Sequence, residues 1–243
     1  MSKILSHKRA WIRSVFVACL FVLLAPLSAS AEPYGGGGSK SDDYLSNLKR
    51  ANSMRWDGGW FGVNGGAGWG TSQFIETVSS DRYGINGGLF GVSGAYIRQF
   101  EASRWYGGVD VDYDWANVRG TASQNCIGCE TKVTSFGTLR GVLAYGYPMG
   151  SYNCYPYITG GLAFGNAQAN VPGFPGASEF KTGWTVGAGA ELQINKLWSV
   201  KAEYLYSDLG SLDCTTGTCG GNANIPVKLN IVRTGLNYKF LPQ

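Results

Sequence analysis

Histidine is nearly absent: the 243 residues hold one, His7. Charge is scarce too, at 15% of residues, while 14% are aromatic. Disordered chains show the opposite balance, so this is not one. The 37 glycines follow no G-X-Y period, which excludes collagen. Beyond the N-terminus no apolar run approaches the ~20 residues of a helical span. Eight prolines and many short glycine-bounded runs argue against a helix bundle.

What is present begins with an export signature. Lys3, Lys8, Arg9 and Arg13 precede the apolar stretch 14–27, and Ala29-Ser30-Ala31 offers a small-residue cleavage site. Residues 1–31 therefore read as a secretory signal peptide. The competing reading is a retained anchor, for which the apolar core is short. Cys19 sits inside the apolar stretch rather than at its end, against a lipoprotein signal. Four of the 20 basic residues leave with the signal, so 16 bases face 16 acids. The formal charge of +4 belongs to the export segment, and nucleic-acid binding loses its compositional support. His7 leaves as well, which excludes Ser-His-Asp and Cys-His nucleophiles and every His-ligated metal site. Residues 32–55, with four glycines at 35–38, read as a flexible tether, and 56–243 as the folded domain.

In that domain the hydrophobic period is close to two. Eight strands are expected, at 60–70, 88–99, 105–118, 133–146, 155–167, 181–193, 198–209 and 228–240. The clearest places Trp184, Val186, Ala188, Ala190 and Leu192 opposite Thr185, Gly187, Gly189 and Glu191. Gaps after odd-numbered strands are long and those after even-numbered ones short. Antiparallel neighbours would gather the long loops on one side, as in an outer-membrane barrel. A soluble lipocalin-like barrel would fit the same alternation with its apolar face inward. Two features favour the membrane: glycines crowd the charged face, as a narrow lumen requires, and aromatics collect at strand ends. Trp105, Tyr145, Tyr147, Tyr155, Trp198, Tyr238 and Phe240 mark the short-turn rim. Tyr113, Trp115, Trp184 and Tyr206 mark the long-loop rim, making two interfacial girdles. The expected fold is all-β: an eight-stranded antiparallel transmembrane up-and-down β-barrel.

The inward face carries Asp110, Asp112, Asp114, Glu191 and Glu203 against Arg140, Lys201, Arg233 and Lys239. Asp112 is expected to face Arg140, Glu191 to face Lys201, and Glu203 to face Arg233. Eight strands leave an interior only wide enough for side chains, so this network should plug the bore. Arg233→Ala is expected to raise conductance. Five cysteines follow Cys19. Cys126 with Cys129, and Cys214 with Cys219, are expected as two local disulfides tightening long-loop tips, with Cys154 a free thiol at the short-turn rim. A shared four-thiolate zinc site is the sharper alternative.

Segments 60–68, 183–191, 201–206 and 232–240 together resemble the outer-membrane β-barrel, porin-like proteins of alphaproteobacteria, over 56–240. The resemblance implies an eight-stranded barrel in the cell outer membrane with structural, surface-contact or porin-like roles, and it brings no catalytic residue. Such barrels usually end on an aromatic residue, whereas Leu241-Pro242-Gln243 follow Phe240 here. The expected role is structural and surface-interacting, with a narrow diffusion channel or a ligand-binding barrel as alternatives. Haem would need Tyr, Cys, Met54 or Met149 as its axial ligand. No enzyme activity, cofactor or metal is expected. The expected partners are outer-membrane lipid and lipopolysaccharide, the barrel-assembly machinery, and a surface ligand or host through the long loops, with no nucleic acid.

Overall fold

The structure is a computed structural model and describes residues 55–75, 80, 82–101, 103–123, 126–149, 152–219 and 222–242. The expected signal peptide, and all of the expected tether but Arg55, lie outside them. Nine strands follow in order: β1 (Gly58–Ser72), β2 (Tyr83–Gln99), β3 (Trp105–Thr121), β4 (Glu130–Tyr145), β5 (Tyr147–Met149), β6 (Tyr152–Asn170), β7 (Ala177–Gln193), β8 (Trp198–Cys214) and β9 (Ala223–Pro242). A single helical turn, α1 (Thr216–Cys219), precedes β9.

Eight of these strands are long, and every neighbouring pair is antiparallel. β1 pairs with both β2 and β9, and β4 pairs with β6, so the sheet closes on itself. β5 is a short hairpin arm laid on the start of β6, Tyr147 opposite Cys154. It was not among the expected strands.

Period-two alternation sorts the residues as a bilayer requires. Phe61, Phe90, Val109, Leu139, Ile158 and Leu162 point outward and are 49–64% exposed. Asp112, Asp114, Arg140, Glu203 and Arg233 point inward and are buried. An apolar outside around a polar inside is the reverse of a lipocalin. Closure of the sheet gives the backbone groups of the wall their partners where lipid offers none. Small residues let the walls approach. A Cβ added to Gly66 would stand 2.6 Å from the Cβ of Arg233, and one at Gly189 would meet the Tyr157 hydroxyl at 2.5 Å.

The strands reach beyond the expected ends on the long-loop side, most visibly where β8 runs to Cys214 and β9 starts at Ala223. The alternation changes phase there. In β4 the buried residues pass from Thr131, Val133 and Ser135 to Phe136, Thr138 and Arg140. In β8 they pass from Leu205, Ser207 and Leu209 to Leu212 and Cys214. Register shifts at 133/135 and 208/211 mark these bulges, and Gly210 supplies a φ of 75° at the second. An unbroken period-two count stops at such points.

Candidate functional site

The lumen is filled in three layers. In the middle layer β3, β4, β8 and β9 aim charged side chains at one another. Arg233 reaches across from β9. Its Nε donates to Glu203 Oε1 at 2.6 Å, its Nη1 to Asp112 Oδ1 at 2.9 Å and Asp114 Oδ2 at 2.5 Å, and its Nη2 to Asp112 Oδ2 at 2.7 Å. Arg140 on β4 donates to Asp110 at 2.7 Å, Asp112 at 3.0 Å and Glu203 at 2.9 Å. Thr138 and Tyr157 donate hydroxyl hydrogens to Asp112 and Glu203. Lys201 Nζ stands 3.5 Å from Asp110 and 3.7 Å from Glu203. Guanidinium forks suit this work because one planar group serves several carboxylates at fixed angles.

Two of the expected partners leave this layer. Glu191 lies directly across from Lys201 in register, but Lys201 turns to Asp110 and Glu203. Glu191 instead accepts from the Trp56 indole N–H at 2.9 Å and from the Ser199 hydroxyl. Lys239 Nζ donates to the Arg55 carbonyl at 2.9 Å and sits 5.5 Å over the Trp60 ring. The reason is a bottom layer the alternation pattern could not show. The chain enters the short-turn mouth at Trp56, which stacks on Tyr155 (4.8 Å between centroids) and meets Tyr106 edge-on at 5.9 Å. Tyr155, expected on the outer girdle, points inward and is buried. Gln193 Nε2 also donates to the Arg55 carbonyl, at 3.3 Å. Between the bottom and middle layers lies a cavity of about 20 Å³, lined by Trp56, Trp60, Asp110, Arg140, Tyr157 and Lys201 among others. That is room for about one water.

The top layer is apolar and spans the upper strand ends and their extensions. Phe74, Ile85, Val118, Phe136, Leu209, Leu212, Ile225 and Leu229 pack there with Tyr83 and Leu205. Both loop disulfides belong to it: Cys126 pairs with Cys129 and Cys214 with Cys219. Cys129, Cys214 and Cys219 are buried in this core rather than displayed at loop tips. Cys154, expected as a thiol at the short-turn rim, does stand at that rim, opposite Tyr147. It faces outward beside Ala190 and Leu192 and is fully buried. Among the described residues, no group of three or more His, Cys, Asp or Glu could hold a metal ion.

Outside, the aromatics form two belts. Near the short turns Trp105 meets Tyr145 at 5.3 Å and Trp198 meets Tyr238 at 5.0 Å, with Phe240 exposed beyond them. Toward the long loops Tyr113 and Trp115 stand 5.5 Å apart, Trp115 stacks on Phe90, and Trp184 lies 5.5 Å from Tyr206.

Residues 16–240 match the family described as outer membrane protein beta-barrel domain. The chain belongs to that family. This outer-membrane barrel is 31% identical over 253 residues to a 31 kDa outer-membrane immunogenic protein of Brucella melitensis, covering 94% of this chain and 100% of that one. It is 28% identical over 185 residues to a 25 kDa outer-membrane immunogenic protein of Brucella abortus, covering 76% of this chain and 79% of the relative. Among solved structures, Neisserial surface protein A aligns at 15% identity with a TM-score of 0.41, over 74% and 97% of the two chains. The barrel resides in the outer membrane, among alphaproteobacterial relatives.

Proposed function

We propose that this outer-membrane barrel is a sealed scaffold that braces the membrane and displays its long-loop end at the cell surface, without passing solutes. The observation that carries this reading is the Arg233 cluster. Arg233, Asp112, Asp114 and Glu203 hold each other across the bore with side chains wholly withdrawn from solvent. The aromatic floor and apolar cap stand in series with it. A solute would have to break all three layers. The inward acids of the middle layer are engaged by cations, which leaves no free acid–base pair there for a catalytic role. The middle-layer charges answer one another.

In this reading 1–31 is removed on export, and the short-turn end, closed by the Trp56 cork, faces the periplasm. The strand extensions and their disulfide-tied loops project past the outer leaflet, where a host or another cell-surface component can meet them. The relatives' name, outer-membrane immunogenic protein, fits such a display. Assembly machinery and lipopolysaccharide are its partners in the membrane.

Planar-bilayer recording on the refolded barrel tests the seal. Negligible or very small conductance is expected. Large, steady, porin-sized steps would sink the sealed reading and promote the diffusion channel.

A further inference from the structure

Five consecutive positions of one outward-facing row above the long-loop girdle are polar, before the row meets Trp69 on β1. Asn86 on β2 stands opposite Arg119 on β3, Arg119 opposite Lys132 on β4, Lys132 opposite Gln168 on β6, and Gln168 opposite Ser178 on β7. Three of its members stand the same number of residues beyond an aromatic on their own strands. Asn86 is four residues beyond Phe90, Arg119 four beyond Trp115, and Gln168 four beyond Phe164. Four residues of strand rise about 13 Å, or roughly 10 Å along the membrane normal at a barrel tilt near 40°. Aromatic girdles sit at headgroup level on the edge of the hydrocarbon, so this row stands among the phosphorylated parts of the outer leaflet.

The centre of the row is electrostatically odd. Arg119 and Lys132 are direct cross-strand neighbours, with Cβ atoms about 5 Å apart, and like charges so placed repel. Arg119 is exposed and Lys132 half-buried, and among the described residues neither has an ion-pair partner. Glu130 stands one row further out on β4, where its carboxylate accepts from Asn170 at 3.3 Å. On the wall of β8 and β9 the outward Lys228 behaves differently, with Asp208 at 3.4 Å. Two adjacent cations flanked by amide and hydroxyl donors match a phosphate monoester, which offers negative charge and several acceptor oxygens.

We infer that Arg119 and Lys132, with Asn86 and Gln168 beside them, form a binding site for the phosphate of an outer-leaflet glycolipid. The inference rests on the proposed orientation, long loops outward, and not on the seal of the lumen. A lipid is the fitting source of the phosphate because the row lies on the membrane-facing wall directly over Trp115 and Phe90, where acyl chains and sugar headgroup can be held together. The anion relieves the repulsion within the pair, and the lipid becomes part of the barrel's wall.

Native mass spectrometry of the full barrel in detergent, titrated with diphosphorylated lipid A, dephosphorylated lipid A or inorganic phosphate, tests this. The wild type should retain the diphosphorylated form preferentially. Arg119→Gln with Lys132→Gln should weaken retention roughly thirtyfold, about fivefold per lost charge. Lys228→Gln should leave it unchanged. Heat-modifiable mobility of each variant shows that it has folded, and because both residues face outward the double variant keeps its core. Equal retention by the double variant, or equal retention of dephosphorylated lipid A by the wild type, overturns the site. Inorganic phosphate competing at the lipid's own affinity overturns the lipid assignment. A wild type that conducts yet still holds lipid A refutes the sealed lumen and leaves this site standing.

Discussion

Arg233 shows how much of this barrel rests on single side chains. Its guanidinium answers Asp112, Asp114 and Glu203 at once, in a space that excludes solvent. Removing one partner from such a cluster strands the others, which is far costlier than replacing the whole set. Arg233→Ala should lower the stability of the folded barrel by about 3–5 kcal/mol, read as an earlier midpoint in a urea titration followed by gel mobility. Arg233→Lys should recover only part of the loss, since one ammonium cannot reproduce the fork. Trp56 is the second such residue. It brings a buried indole, a stack on Tyr155 and the hydrogen bond to Glu191. Trp56→Ala should cost about 3 kcal/mol. It should also release the backbone at Arg55, now held by Gln193 and Lys239. Faster tryptic cleavage after Arg55 is the readout, and unchanged cleavage would count against the cork.

At the scale of the element, each strand has two regimes. Within the bilayer it alternates lipid-facing apolar residues with lumen-facing polar or small ones. Past the bilayer the inward positions turn apolar, with Leu209, Leu212, Ile225 and Leu229 on β8 and β9. A β-bulge separates the regimes on β4 and on β8. The two short disulfide loops finish the upper regime. Each closes only a few residues, so in the chain-entropy account each removes roughly 2 kcal/mol of unfolded-state freedom. Reduction in dithiothreitol should lower the unfolding midpoint modestly and leave the barrel folded. Peptide mapping without reductant should find Cys126 joined to Cys129 and Cys214 to Cys219. A bridge from one loop to the other would contradict the structure.

For the whole molecule, closure of eight long strands makes a barrel without a free edge, which detergent preserves. Unheated samples should run faster on gels than boiled ones, and circular dichroism should be mostly β. The three layers in series also change what a lumen variant does. From the sequence, Arg233 is the plug, and its loss should open the bore. In the structure the aromatic floor and the apolar cap remain when Arg233 is gone. Arg233→Ala should therefore weaken the barrel without raising conductance. A conducting Arg233→Ala would show that the charge layer alone makes the seal.

The eight long barrel strands and the outer-membrane location could be read from the residues alone, though not the short β5. Each follows from local repetition: period two sets the faces, and strand length matches the bilayer. Partner choice could not be read this way. Glu191 and Lys201 are neighbours in register, yet they part because Trp56 arrives from outside the sheet to claim the carboxylate. Tyr155 looked like a girdle residue by its place near a strand end, and its direction depended on the pairing of β6 with β4 and β7. The apolar cap escaped notice because bulges reset the period where it begins. Periodicity is a property of one strand, so it assigns a face. Which side chains meet across a closed bore depends on the register of eight strands at once, and only the folded barrel decides that.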